Sequence, residues 1–234
     1  MNILTVAAHP DDEVLGCGGV MARLAREGHG VSIAILGEGA TARFRHREEA
    51  DRALSKTLHA QSREVATLLG ARELFLYELP DNRFDTVPLL EVVKVVEDLI
   101  EKLRPDVVYT HHGGDLNIDH QIVARAVLTA TRPVAGHPVR QLYAFEVPSS
   151  TDWAFQRLEP PFRPNVFVDI SATIELKVQA FSRYTMEHRA FPHPRSPEGL
   201  YAAARRWGGV VGCQAAEAFE LVRAIRDGTA TLMP

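Results

Sequence analysis

The chain has 234 residues, 46% apolar and 24% charged, with a net charge of -4 and a pI near 6.2. That is enough chain for one α/β domain with a sizeable core, and the acidic balance leaves no electrostatic footprint for nucleic acid. Two distant cysteines, Cys17 and Cys213, form no Cys-x-x-Cys pair, which argues against a thiolate zinc site and a disulfide framework and for reduced thiols in a cytoplasmic protein.

No basic stretch precedes the first apolar run, and Asp11 and Asp12 interrupt it, so neither a leader nor a membrane span is expected. Residues 3–8 read as a short buried strand, and apolar residues at helical spacing over 12–28 read as a helix closed by Gly28. Between them lies His9-Pro10-Asp11-Asp12-Glu13, an imidazole and three carboxylates where a strand hands over to a helix. In open α/β sheets, sites form beyond the carboxyl ends of the strands. Pro10 pushes His9 into an extended conformation. His9 and Asp12 suit metal ligation, and Asp11 suits a base beside a water. A plainer reading makes Asp11 or Asp12 the N-cap of the helix. Gly16, Gly18 and Gly19 each cost up to about 1 kcal/mol inside a helix, which close packing would explain.

Residues 30–36 predict a second strand, parallel to the first. The loop after it carries Arg43, which either contacts an anionic or hydroxyl-rich substrate or is solvated. A helix over 45–69 follows, then a strand at 74–77 and a polar loop at 79–84. A helix over 88–103 is stopped by Pro105, and residues 106–110 give a fourth strand. It delivers His111, His112, Asp115, Asn117, Asp119 and His120, a cluster broken by Gly113-Gly114 and hard to explain by packing. His120 opens a helix over 119–131 and completes a three-ligand set, with a backbone carbonyl or Asp119 to fix its tautomer.

A strand over 140–147 precedes Asp152-Trp153, where Trp153 is either a sugar-stacking rim or a loop anchor. A strand over 165–170 and a helix over 172–188 capped by Ser171 come next. Prolines on either side of His193 hold it and Arg195 in an extended loop, either at the site or on the surface. Residues 200–207 look helical with Gly208-Gly209 as the break, and 218–225 fits a strand or a helix.

The paired motifs, His9-Pro10-Asp11-Asp12-Glu13 and Asp119-His120, resemble those of the LmbE-like or PIG-L family of zinc-dependent N-acetyl-sugar deacetylases. The segment 212–219 is also similar to a recurring family segment. The resemblance implies Zn²⁺ on His9, Asp12 and His120, Asp11 as general base, and a homo-oligomer; an N/O ligand set also accepts other divalent ions. Many family members carry a histidine where this chain has Asn117, whose amide can donate to an oxyanion but cannot carry a proton. Asp11 or His193 is the candidate to protonate the departing amine; Arg43, Asp152 and Arg195 are candidates for substrate contacts.

The expected whole is a single domain over 1–234, α/β, a Rossmann-like three-layer sandwich with a mostly parallel central sheet. The expected activity is removal of an N-acetyl group from an amino sugar or its conjugate, with no nucleic acid or membrane partner. The alternative, motivated by Asn117, is a non-catalytic sugar-binding protein on the same scaffold.

Overall fold

A computed structural model of the chain describes residues 1–45 and 52–226. The start of the helix expected over 45–69 falls outside the described residues. The elements are β1 (Asn2–Ala7), α1 (Asp12–Arg26), β2 (Gly30–Gly37), α2 (Arg52–Leu69), β3 (Glu73–Leu79), α3 (Leu89–Leu103), β4 (Val107–His111), α4 (Ile118–Ala130), β5 (Gln141–Phe145), β6 (Val166–Asp169), α5 (Ile174–Phe181), α6 (Pro197–Val211) and β7 (Ala216–Ala224).

The seven strands form one sheet in the order β3-β2-β1-β4-β5-β7-β6. The first five run parallel, and β7 is antiparallel to both β5 and β6. The order of strands reverses between β1 and β4, and there the crevice of an open α/β sheet opens beyond the strand ends. The expected fold class is therefore the observed one. No described helix is long and apolar enough to cross a membrane.

Alternation along the strands feeds two cores. Ile3, Ile33, Ile35, Val107, Tyr109 and Phe145 face α1, α2, α5 and α6, while Leu4, Val6, Ala34, Leu36, Val108 and Leu142 face α3 and α4. A strand with both faces buried is apolar throughout, which is why the run at 3–8 reads without polar interruptions beyond Thr5.

Helix α1 breaks at Cys17 (φ -147°, ψ 24°). The break frees backbone groups that have no water to turn to, and two side chains take them. Glu217 on β7 accepts the N–H groups of Gly19 (2.9 Å) and Val20 (2.7 Å). Lys177 on α5 donates to the Leu15 carbonyl (2.8 Å) and to Glu217 (2.6 Å). The helix also lies close: a Cβ on Gly16 would meet the Phe145 ring at 2.3 Å, and one on Gly19 would meet Ile170 at 2.8 Å. This close packing accounts for the glycines of α1.

Two helix boundaries are corrected, and the last element is settled. Helix α6 runs through Gly208 and Gly209 to Val211 and ends on Gly212 in the left-handed conformation (φ 80°). Gly208 is needed because a Cβ there would lie 2.6 Å from the Cys213 carbonyl oxygen, where the chain folds back towards β7. Helix α5 stops at Phe181 and gives way to tight turns that carry Tyr184 into the core; Ser171 does not cap it but bonds Asp169. Residues 216–224 are a strand.

Replacing Glu217 by alanine leaves Lys177 unpaired and two N–H groups without acceptors, and breaking a buried ion pair costs about 3–5 kcal/mol. The E217A variant should lose stability of that order in urea denaturation. A loss below about 1 kcal/mol, the worth of an exposed ion pair, contradicts this account of the α1 break.

Candidate metal and catalytic site

β1 ends at Ala7 and β4 at His111, so the two clusters seen in the sequence arrive side by side at the switch point. One oxygen of Asp12, Oδ2, lies 3.2 Å from His9 Nδ1 and 3.1 Å from His120 Nε2, and also accepts the His9 backbone N–H at 2.9 Å. The two imidazole rings are 5.4 Å apart. His9, Asp12 and His120 are all buried and offer ligand atoms within 4.8 Å of one another.

The donor set fits a divalent cation on a further ground. Neither ring nitrogen of His120 makes an aligned hydrogen bond among the described residues, although both are buried. A buried imidazole whose nitrogens are poorly aligned with the carboxylates beside them is under-satisfied, and a cation on Nε2 relieves it. Burial pushes the Asp12 carboxyl up, yet the His120 and His9 contacts outweigh it and hold Asp12 well below its usual range. Burial would lower His9 and His120, and the surrounding carboxylates raise both. The pocket thus favours positive charge, which a metal ion supplies while displacing protons.

Each candidate ligand histidine has a carboxylate behind it. His9 Nε2 is 2.9 Å from Asp119 Oδ2, and His120 Nδ1 is 3.2 Å from Asp115 Oδ1. Such partners orient an imidazole and raise its basicity. The expected partner of His120 is thereby corrected: Asp119 serves His9, because it opens α4 with its side chain facing the 81–84 loop, where it accepts the N–H groups of Asn82 (2.6 Å) and Phe84 (2.9 Å). Asp115 accepts from Thr151 (2.7 Å), the Asn117 N–H (2.8 Å) and Ser150. Burial raises it, but His120 and these donors hold it at about 2.

His111 supports this arrangement from below. Its Nε2 accepts the Ala8 N–H at 2.8 Å, and its ring stacks on His120 at 4.0 Å. Burial, followed by the charge of His120, drives it well below the usual histidine range, so it stays neutral as an acceptor must.

Asp11 occupies the cap position of α1 but makes no side-chain cap bond, so the plainer N-cap reading does not hold for it. Its backbone lies in the left-handed region (φ 112°), a conformation a non-glycine residue keeps only when its surroundings enforce it. Glu13 Oε2 accepts the Asp11 N–H (3.0 Å), and Tyr184 donates to the other Glu13 oxygen (2.6 Å). Arg195 Nη1 donates to Asp11 Oδ2 at 2.8 Å. Burial raises the Asp11 carboxyl well above its usual range against the opposing pull of Arg195, and burial raises Glu13 to about 7.

These groups line a mostly polar cavity of about 140 Å³ that includes His9, Asp11, Asp12 and His120 together with Arg43, Asp81, Asn117, Glu187 and Arg195. Arg43, Asn117 and Arg195 are thus among the residues that line this cavity. Asn117 Oδ1 accepts the Asp119 N–H (2.8 Å) and its Nδ2 donates to Asn82 (3.0 Å), so the amide is oriented from both ends. His193 and Asp152 are not among the lining residues. His193 Nδ1 accepts the Arg195 N–H (3.0 Å) and its ring meets Trp153 edge-on at 5.4 Å, while Asp152 accepts the Ser149 N–H (3.0 Å). Both hold loops, and Trp153, which is exposed, is not among the residues lining the cavity either. Sequence reasoning missed the roles of Asp81, His111, Asp115 and Glu187. The first three lay in stretches already marked as polar loop or cluster; Glu187 gave no signal, since it sat in what read as a helix.

The fold and the site define an α/β domain with a histidine–carboxylate cluster at the sheet's switch point. Residues 4–131 match the model of the PIG-L family, described as GlcNAc-PI de-N-acetylase, and the chain belongs to that family of deacetylases. It is similar to the uncharacterized deacetylase YaiS of Escherichia coli, 30% identical over 174 residues, which covers 72% of this chain and 82% of that protein. In fold it resembles N,N'-diacetylchitobiose deacetylase of Pyrococcus horikoshii (TM-score 0.74, 20% identity, 95% of this chain and 84% of that one). It equally resembles GalB, the 4-carboxy-2-hydroxymuconate hydratase of Pseudomonas putida (TM-score 0.75, 21% identity, 99% of both chains), so the shared fold alone does not set the reaction.

Replacing Asp119 or Asp115 by asparagine should weaken Zn²⁺ binding about 10- to 100-fold, the usual cost of losing a carboxylate behind a ligand histidine. Competition against a zinc-chelating dye measures this. Unchanged affinity in both variants would mean these carboxylates do not support ligands.

Proposed function

We propose that the chain is a divalent-metal-dependent amidohydrolase that removes an acetyl group from an N-acetylated amino sugar or a conjugate of one. The observation that carries this is the approach of two imidazole nitrogens to one Asp12 oxygen, at 3.2 and 3.1 Å, with Asp11 beside them in the same cavity. In this reading His9, Asp12 and His120 hold the ion. The chemistry supplied by zinc or a similar ion at such a site is Lewis acidity toward an amide carbonyl and acidification of water.

Asp11 acts as the general base. Its carboxylate takes a proton from water as the water oxygen bonds to the acyl carbon, and burial favours that task by raising its basicity. As the carbon–nitrogen bond breaks, the same proton passes from Asp11 to the leaving nitrogen, releasing the amine and a carboxylic acid, whose remaining water-derived proton is then lost to solvent. We assign this return to Asp11 rather than His193, because Asp11 lines the cavity and His193 does not. Asn117 Nδ2 carries two hydrogens, one of which goes to Asn82, and the other suits the developing oxyanion. Arg43 is a candidate contact for sugar hydroxyls at the cavity edge.

Acetate release from a panel of N-acetylglucosamine glycosides, with and without prior chelation, tests the reading. Turnover should require the metal, and D11N should lower it by about 10²- to 10⁴-fold while still binding Zn²⁺. Metal-free turnover, or full activity in D11N, contradicts it. Sugar binding without acetate release by the metal-loaded protein would favour the non-catalytic alternative.

A further inference from the structure

A continuous chain of charged side chains leads away from Asp11. The Arg195 guanidinium donates through Nη1 to Asp11 Oδ2 (2.8 Å), and the same nitrogen lies 3.8 Å from Glu187 Oε2. Glu187, which is buried, takes Arg43 on its other oxygen. Four charges of alternating sign thus join the loop after β2, the turns after α5, the loop before α6 and the turn after β1.

We infer that Arg195 is a positioning residue for Asp11 rather than a contact for substrate, and that Ser149 and Glu187 set its aim. The inference rests on the reading of Asp11 as base. Arg195 precedes Ser196, which caps α6 by accepting the Gly199 N–H (2.9 Å) and ties its own N–H to the His193 carbonyl (2.9 Å). The backbone at 195 is therefore anchored. The Nε edge of the guanidinium is also occupied, by Ser149 Oγ (3.1 Å) and the Pro148 carbonyl (3.4 Å), both in the loop after β5. With one edge engaged, a planar guanidinium has a set direction for its Nη groups, and here Nη1 meets Asp11.

The consequence for Asp11 is geometric. Its backbone N–H is held by Glu13 and its Oδ2 by Arg195, so the residue is held at both its backbone and one carboxyl oxygen. Among the described residues no hydrogen bond reaches Oδ1, which is the oxygen left for water. Arginine does not give up its proton, so Arg195 cannot serve as the acid or base itself. A lysine could reach Asp11 but could not also keep the Ser149 and Pro148 contacts in the same plane.

The test compares R195A, R195K and S149A with the wild type, using acetate release from whichever N-acetylglucosamine glycoside the wild type hydrolyses and Zn²⁺ affinity from dye competition. R195A should lower kcat about 10²-fold, the cost of misplacing a catalytic group by an ångström or so, with KM changed less than threefold. R195K should recover only part of that loss, and S149A should lower kcat several-fold with KM unmoved. Zn²⁺ affinity should stay at the wild-type value or rise in all three, since a cation near the site has been removed or loosened. Added guanidinium ion at millimolar concentration should restore part of the R195A turnover. A rise in KM at constant kcat would make Arg195 a substrate contact and overturn the inference, and a parallel fall in Zn²⁺ affinity would make it a structural residue and do the same. A wild type that releases no acetate in the presence of metal sinks the hydrolase reading instead, so the two failures are distinct.

Discussion

A single oxygen, Asp12 Oδ2, receives the His9 backbone N–H and faces the imidazoles of His9 and His120. A buried carboxylate is tolerable only with positive charge or donors around it, and here nearly all of them come from residues that the sheet order places at one spot. β1 supplies the turn with His9 and Asp12; β4 supplies the cluster that ends in His120. Because β1 and β4 are neighbours where the strand order reverses, residues more than a hundred positions apart meet without a long loop.

The rest of the molecule holds that meeting point still. Helix α1 must begin at Asp12 and run close beneath Phe145 and Ile170, so it carries glycines and breaks at Cys17. Lys177 and Glu217 satisfy the broken helix from α5 and β7, which ties the antiparallel end of the sheet to the element that starts the site. The segment 212–219, noticed only for its similarity to a family pattern, thereby has a physical role: Gly212 turns the chain out of α6 and Glu217 reaches α1. Around the cluster, Asp119, Glu13 and Tyr184 supply hydrogen bonds and Asp115 a close ion-pair contact, and together they orient His9, Asp11 and His120. A site needs such support to keep its reacting groups in register.

Much of this was legible in the sequence. Apolar runs ending in His9-Pro10-Asp11-Asp12 and in His111-His112 announced buried strands and two polar clusters, since a parallel strand is uniformly apolar and changes character where it leaves the sheet. Which acid pairs with which imidazole was not legible. Asp119 is adjacent to His120 in the chain yet serves His9, and Asp115 serves His120, because neighbouring residues at a helix start point in different directions. His193 between prolines was read as held in an extended loop, whereas consecutive turns carry it, with the Arg195 N–H on Nδ1 and Trp153 against its ring, outside the cavity lining. Glu187 was hidden because helical spacing appeared to continue past Phe181, whereas the burial of Tyr184 turns the chain away. In each case the missing information was a tertiary contact, which no local pattern encodes.

The central claim is that two distant imidazoles and Asp12 share one cation. Metal content after exhaustive dialysis of Zn²⁺-loaded protein tests it most directly, by elemental analysis of the wild type beside the single variants H9A and H120A, each checked for native secondary structure. The account predicts about one equivalent of zinc in the folded wild type and essentially none in either folded variant. A full equivalent retained by both variants, or none held by the folded wild type, contradicts it.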